Sequence, residues 1–258
     1  MCQLLGMNCN VPTDICFSFE GFRARGGLTD HHKDGWGIAF FEDRGCRVFL
    51  DARATIDSPV ADLVRQYPIR SRNVVAHIRK ATQGRIALEN CHPFKRELWG
   101  RYWVFAHNGN LEHFEPRLPA NLRPVGNTDS ERAFCSILDR LGREFPAGDP
   151  SDADLLAALR GIANDLAQHG LFNFLLSNGE FMVAHCSDRL QYLTRAAPFS
   201  RAHLVDQDIT VDFTALTQPD DIVTVIASVP LTDNETWTPM APGDLLLFRD
   251  GAPQPVPA

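Results

Sequence analysis

The chain has 258 residues, 44% of them hydrophobic and 22% charged, which is enough to bury a large core in one or two domains and excludes a disordered chain. Against 25 Lys and Arg stand 32 Asp and Glu, a net charge of −7 with neither sign gathered into a run, so no nucleic-acid partner is expected. No apolar stretch reaches the ~18 residues of a membrane span and the N-terminus lacks the charged-then-apolar order of a secretory signal, so the expected location is the cytoplasm, away from membranes.

Residues 1–9 read as a short apolar strand. The turn at Val11-Pro12-Thr13-Asp14 starts a helix over 15–25, which stops at Gly26-Gly27. A polar loop follows, then two runs, 37–41 and 46–50, that flank Glu42-Asp43-Arg44-Gly45 as a β-hairpin. Ser58 caps a helix ending before Pro68, and the β-branched and aromatic runs 73–78 and 101–106 are buried strands. Phe134, Ile137, Leu138, Leu141 and Phe145 recur at helical spacing within 130–145. A second amphipathic helix opens at Ser151, with Asp154 three residues on, and closes at Gly170. Short strands are expected at 172–176, 181–185, 190–194, 209–213, 222–227 and 245–249. Strands, then helices, then strands again give no regular βαβ alternation. The expectation is an α+β fold of layered antiparallel sheets covered by two groups of helices. With no linker or repeat, we expect one domain over 2–250 and a loose tail over 251–258 that holds the proline-rich segment 253–257.

Seven cysteines without a C-x-x-C pair argue against a disulfide framework and a zinc knuckle. Among them, Cys2 stands out because removal of Met1 would leave a thiol and a free α-amine on one residue. Such a thiol ordinarily titrates near ~8.5 and such an amine near ~8, so the amine can relay the thiol proton without a histidine. Taken alone, Cys2 is as simply a small buried strand residue.

A nucleophile that attacks an amide needs donors aimed at the developing oxyanion. Asn108 and the Gly109 N–H can supply them, although Asn-Gly by itself also reads as a turn. At the end of the 73–78 strand, Arg79 can clamp a carboxylate through two N–H bonds, with Thr82 and Gly84 in a loop able to close on a ligand. The alternative is a solvated strand-end charge. Asp129 is either a helix-capping residue or a carboxylate for a substrate ammonium; with Arg79 it would hold the two ends of an α-amino acid. His31, His32 and Asp34 lack metal-site spacing, so neither a metal nor a cofactor is expected. His92-Pro93-Phe94 and Trp103 read as packing and turn elements.

Cys2 and Gly6, Asp34-Gly35-Trp36-Gly37, His77-Ile78-Arg79, Ala81-Thr82 before Gly84, His92-Pro93, His107-Asn108-Gly109 with Glu112, and Thr128-Asp129-Ser130-Glu131 occur in one order. That order resembles the class II glutamine amidotransferases, N-terminal-nucleophile hydrolases. The later segment 227–232, Trp237 and Pro242-Gly243-Asp244 is similar to the stand-alone bacterial YafJ-like group. The resemblance implies a four-layer αββα sandwich and hydrolysis of the glutamine side-chain amide through a γ-glutamyl thioester. It implies that Cys2 is the nucleophile and its amine the base, with Asn108 and Gly109 as oxyanion hole. Arg79 would hold the substrate carboxylate, Asp129 its amino group, and Thr82 would line the pocket.

The sequence departs from that family at Lys80 and Gln83, where biosynthetic members often carry an aromatic residue and a histidine, and at Gln3, where glycine commonly follows the nucleophile. Complete members also attach an ammonia-consuming synthase domain, for which 258 residues leave no room. Three readings follow: a glutaminase passing ammonia to a partner protein, a hydrolase of another γ-glutamyl amide or peptide, or a non-catalytic glutamine-binding subunit that keeps Met1.

Overall fold

β1 (Gln3–Thr13) places Leu4, Gly6 and Asn8 on one face and Leu5, Met7 and Cys9 on the other, and the side chains of both faces are buried. Such a strand must be covered from both sides, and the rest of the chain supplies the cover. After it come α1 (Cys16–Ala24), β2 (Trp36–Glu42), β3 (Gly45–Asp51), α2 (Pro59–Gln66), β4 (Ser71–Ile78), β5 (Phe94–Leu98), β6 (Arg101–Leu111), α3 (Asp129–Glu144) and α4 (Asp152–Ala167). The remaining strands are β7 (Gly170–Ser177), β8 (Met182–His185), β9 (Gln191–Arg195), β10 (Arg201–His203), β11 (Thr210–Asp212), β12 (Val223–Ala227), β13 (Thr238–Pro239), β14 (Leu245–Arg249) and β15 (Ala252–Pro253). The computed structural model describes residues 2–148 and 150–254.

A seven-stranded sheet runs β13-β9-β12-β1-β4-β2-β3 and a six-stranded sheet runs β15-β14-β8-β7-β6-β5, every neighbouring pair antiparallel. Three apolar cores separate four layers. Phe19 and Phe22 of α1 and Val64 of α2 pack on the outer face of the first sheet, against Leu5, Met7, Val74 and Ala76. Between the sheets lie Leu4, Val75, Val104, Ala106, Leu175 and Met182. Phe134 and Ile137 of α3 and Leu159 and Ile162 of α4 cover Phe105, Phe172 and Phe174 on the second sheet. Each fully buried side chain of this size contributes roughly 1.5–3 kcal/mol. The order is αββα, as the resemblance implied.

The local signals act where they stand. Ser58 accepts the Ala61 N–H with Pro59 at the first helical position, and Ser151 accepts the Asp154 N–H while its hydroxyl donates back to Asp154. Gly6 faces the second sheet, where a β-carbon would meet Met182 at 2.7 Å, so the glycine lets the two sheets approach.

Several expectations are corrected. β6 runs on to Leu111, pairing Asn108 with Asn173 and Gly109 with Phe172, so Asn108-Gly109 is mid-strand and not a turn. Phe94 to Leu98 is a strand, although charges at Lys95, Arg96 and Glu97 hide its pattern; on this edge strand Glu97 is exposed and Arg96 pairs with Glu131. Residues 251–254, expected to begin a loose tail, are instead bonded to the sheets. Gly251 donates to Asn8 Oδ1 at 2.8 Å, β15 pairs with β14, and Gln254 N donates to Leu247 O at 2.7 Å. The last four residues, 255–258, lie outside the described residues. No helix among the described residues is long and apolar enough to cross a membrane.

Candidate active site

Cys2 immediately precedes β1, whose Gln3 pairs with Ile78 at the end of β4. The thiol therefore lies against the residues that follow β4. Its sulfur accepts the Lys80 N–H at 3.2 Å and its S–H points to Lys80 O at 3.3 Å. Burial pushes the thiol pKa up, partly opposed by the Lys80 N–H, so the thiol needs a base to become a nucleophile.

Cys2 lines two cavities. The smaller, about 20 Å³, is lined by Cys2, Arg79, Thr82, Gly109 and Asp129, together with Lys80, Gln83, His92, His107, Thr128 and Ser130. The larger, about 170 Å³, is lined by Cys2, Asn108, Gln3, Asp30, His32, Lys80, Arg189, Ser228 and Val229. The six residues singled out by sequence thus gather around one thiol, five on the first cavity and Asn108 on the second. Neither is the largest hollow: a more apolar groove of about 420 Å³ lies on the outer face of the seven-stranded sheet, around Phe17, Phe199 and Phe213. Cys16 lines it, with a thiol that burial and the Asp14 carboxylate push up to about 11.

Arg79 is buried and is wrapped by its own loop. Its Nη1 donates to Asp34 O at 3.4 Å and Arg85 O at 3.0 Å, and its Nη2 to Gln83 O at 2.8 Å and Gly84 O at 3.2 Å. The loop is fixed from three directions: Asp34 Oδ2 accepts the Ala81 N–H at 2.8 Å, Gln83 Nε2 donates to Asn110 Oδ1 at 2.8 Å and Leu111 O at 3.0 Å, and Asn90 Nδ2 donates to Arg85 O at 2.9 Å. Gly84 has a φ of +74°, which favours glycine at this bend. A volume of about 20 Å³ suits one or two waters.

On β6, alternation sends His107 and Gly109 toward α3 and Asn108 toward β1. Asn108 Nδ2 donates to Ser228 Oγ at 3.3 Å, while its Oδ1 is buried without a hydrogen-bond partner among the described residues. Gly109 leaves no alternative, since a β-carbon there would stand 1.8 Å from Leu171 O. His107 Nε2 lies 3.1 Å from Leu171 O and must carry the ring proton, so Nδ1 accepts from the Ser130 hydroxyl at 2.9 Å. Burial holds this imidazole below its usual pKa, hence neutral, with Asp129 partly opposing.

The α3 terminus assigns one task to each residue of Thr128-Asp129-Ser130-Glu131. Thr128 is the cap, accepting the Glu131 N–H at 3.2 Å. Asp129 is the first helical residue rather than the cap, and its Oδ2 accepts the Leu111 N–H at 2.8 Å. Ser130 holds His107. The buried Glu131 carboxylate accepts the Val125 and Gly126 N–H groups at 3.0 and 2.7 Å and pairs with Arg96.

Asp34, Gln83, Asn90, Ser130 and Ser228 receive no role from sequence reasoning. Asp34, Ser130 and Ser228 stand inside quoted motifs, so position could have flagged them, whereas Asn90 carries no signal. His31, His32 and Asp34 serve separate ends. Asp34 holds the loop and His32 lies 3.0 Å from Asp30, and no group of three metal-binding side chains occurs among the described residues. His92 packs with tilted rings against His77 at 4.1 Å and Phe94 at 4.5 Å between centroids, and it also lines the smaller cavity.

The family model for class II glutamine amidotransferases matches residues 1–257. The chain is 53% identical over 248 residues to an Escherichia coli K12 protein named "Putative glutamine amidotransferase YafJ", covering 96% of this chain and 97% of that one. A Haemophilus influenzae protein described as a "Putative glutamine amidotransferase" is 55% identical over 251 residues, covering 97% and 85%. The crystal structure of a predicted glutamine amidotransferase from Pseudomonas aeruginosa PA01 superposes with a TM-score of 0.78 at 46% identity, covering 97% of this chain and 98% of that one. A glutamine phosphoribosylpyrophosphate amidotransferase from Bacillus subtilis, at 16% identity and a TM-score of 0.53, shares the fold over 98% of this chain and 48% of that one. The chain belongs to the class II glutamine amidotransferases, enzymes that act on the glutamine amide.

Proposed function

We propose that the protein hydrolyses the γ-amide of glutamine through a γ-glutamyl thioester on Cys2. The observation that carries this is Cys2 lining two cavities, with Arg79 and Asp129 on one and Asn108 on the other. Once Met1 is removed, the Cys2 α-amine, of a type that ordinarily titrates at about 8, takes the thiol proton as sulfur adds to the amide carbon. The Asn108 carboxamide and the Gly109 N–H then face the developing oxyanion. The amine returns the proton to the departing nitrogen, and water releases glutamate from the thioester. Arg79 holds the substrate carboxylate after giving up loop carbonyls, Asp129 holds the ammonium, and Thr82 closes over them. Neither metal nor cofactor enters this chemistry. The protein works in the cytoplasm, and the ammonia passes to an acceptor on a partner protein.

Labelling with a glutamine-mimicking electrophile, followed by peptide mapping and intact mass, tests this reading. Modification of Cys2 is expected in chains that have lost Met1, and none in Cys2→Ala. Active, trimmed protein left unlabelled at Cys2 would overturn it, and a native mass that retains Met1 would favour a non-catalytic glutamine-binding subunit.

A further inference from the structure

We propose that Asn173 is a positioning residue for the reaction: through the Asn108 carbonyl it aims the Gly109 N–H at the oxygen that becomes negative when sulfur adds to the amide. The inference rests on the thioester reading above and adds a residue to its machinery.

The carbonyl of Asn108 and the N–H of Gly109 belong to one planar peptide unit and point in opposite directions, so whatever fixes the oxygen also fixes the hydrogen. The ladder leaves that hydrogen to the site. Opposed residues on antiparallel strands alternate between pairs that exchange hydrogen bonds and pairs that do not. Phe172, opposite Gly109, turns both backbone groups to the far side of β7, its N–H donating to Ser187 Oγ at 3.0 Å and its carbonyl lying 2.7 Å from His185 Nδ1. Gly109 and Phe172 are therefore a non-bonded pair, and the Gly109 N–H points away from β7. On that edge β5 pairs β6 over Arg101 to Phe105 and ends before reaching Gly109, which lines the smaller cavity with Cys2.

Asn173 stands opposite Asn108, fully buried, on the face that carries Ala106 and Leu175 into the inter-sheet core. Its Nδ2 donates to Asn108 O at 3.0 Å and to Asp188 Oδ1 at 2.7 Å. Its Oδ1 accepts the N–H groups of Ser187, Asp188 and Arg189 at 2.8, 3.2 and 3.4 Å. Both amide hydrogens and the oxygen are engaged, and a flipped amide would set its NH₂ against three N–H donors. A hydrogen bond to a peptide oxygen also polarises the unit and makes its N–H a stronger donor. The gripped turn, 187–189, carries the chain from β8 in one sheet to β9 in the other, and its Arg189 lines the larger cavity with Cys2 and Asn108. A single amide thus ties the oxyanion peptide to the crossing between the sheets.

The test separates aim from support. Asn173→Asp keeps the acceptor for the three N–H groups but loses the donor to Asn108 O and sets two carboxylates together. Adding Asp188→Asn removes that repulsion, because the new carboxamide at 188 can donate to the carboxylate at 173, while Asn108 O still lacks its donor. Trimmed wild type, both single variants and the exchanged pair are compared in thermal melting, in kcat and KM for glutamine, and in alkylation of Cys2 by iodoacetamide, a displacement at saturated carbon that builds no oxyanion. The exchanged pair is expected to melt and alkylate like the wild type, yet with kcat lower by ~10 to 10² and KM within about twofold, short of the ~10² to 10³ for deleting an oxyanion donor. Asn173→Asp should show the same loss of kcat at a lower melting temperature, and Asp188→Asn, which keeps an acceptor for Nδ2, should hold kcat within about twofold. If the exchanged pair recovers kcat together with its melting temperature, or if KM alone moves, Asn173 only supports the fold and the proposal is wrong; labelling of wild-type Cys2 by the glutamine-mimicking electrophile then leaves the thioester reading standing. A wild type that neither labels nor hydrolyses glutamine would remove both.

Discussion

The Ser228 hydroxyl ties Asn108 to the nucleophile strand: it accepts the Asn108 Nδ2–H at 3.3 Å and the Leu4 N–H at 3.0 Å. The proposed oxyanion donor is thereby held in register with a strand that begins one residue after Cys2. Asn108→Ala is expected to lower kcat by ~10² to 10³ with little change in KM. Ser228→Ala keeps the donor but frees it to rotate, so a smaller loss is expected, largely restored by Ser228→Thr. Steady-state kinetics on the three variants check this, and an Asn108→Ala enzyme with the parent kcat would remove the residue from the oxyanion hole.

Ser130 gives the buried His107 ring its only side-chain partner at Nδ1 among the described residues. In Ser130→Ala that nitrogen is left unsatisfied in the core, a loss of about 1–3 kcal/mol. The expected readout is a fall in the urea midpoint at an unchanged m-value, with Ser130→Thr falling less.

The 81–85 loop should respond differently, because it is held by polar contacts rather than by a packed core. Gln83→Ala deletes the bonds to Asn110 Oδ1 and Leu111 O, each worth about 1 kcal/mol net. Amide exchange at residues 81–85 is expected to quicken by roughly tenfold or more, while the β1 and β4 amides keep their protection. Equal acceleration in those strands would mean that the loop opens only when the whole molecule does.

Acid should weaken the fold through its buried imidazoles. Burial, more than neighbouring positive charge, holds His77 and His92 well below their usual pKa, and burial likewise lowers His107. The unfolded chain takes up protons near pH 6.5 that the folded one refuses. Stability is therefore complete above about pH 6.5 and declines below it, by roughly 1 kcal/mol per pH unit for each ring. Urea midpoints at pH 7.5 and 5.5 should differ, and His92→Phe should narrow the gap. Identical midpoints would show that the rings titrate freely in the fold.

How much of this was legible in the sequence depends on how local each cause is. The caps at Ser58 and Ser151 and the helical stripe from Phe134 to Leu141 act over one or two turns, and the chain folds accordingly. Cys2, Asn108, Gly109, Arg79, Thr82 and Asp129 were legible because their chemistry and order are distinctive, and they line the two cavities at one thiol. What could not be read depends on tertiary contacts. Asn108-Gly109 has the composition of a turn, but pairing with β7 keeps it extended. Ser228 gains its meaning from Leu4 and Asn108, 224 and 120 residues away in the chain. That the Arg79 guanidinium is engaged by carbonyls of its own loop has no sequence signature at all.

β1 contributes Leu4 to the inter-sheet core and Leu5 and Met7 to the outer one, and it is hydrogen-bonded on both edges, to β4 and β12. Cys2 thus adjoins a strand packed in two cores and paired on both edges, while the 81–85 loop beside it is held by polar contacts. Heat inactivation should consequently coincide with global unfolding, and evolution can retune access to the thiol by editing one short surface turn without disturbing the placement of the reacting atom.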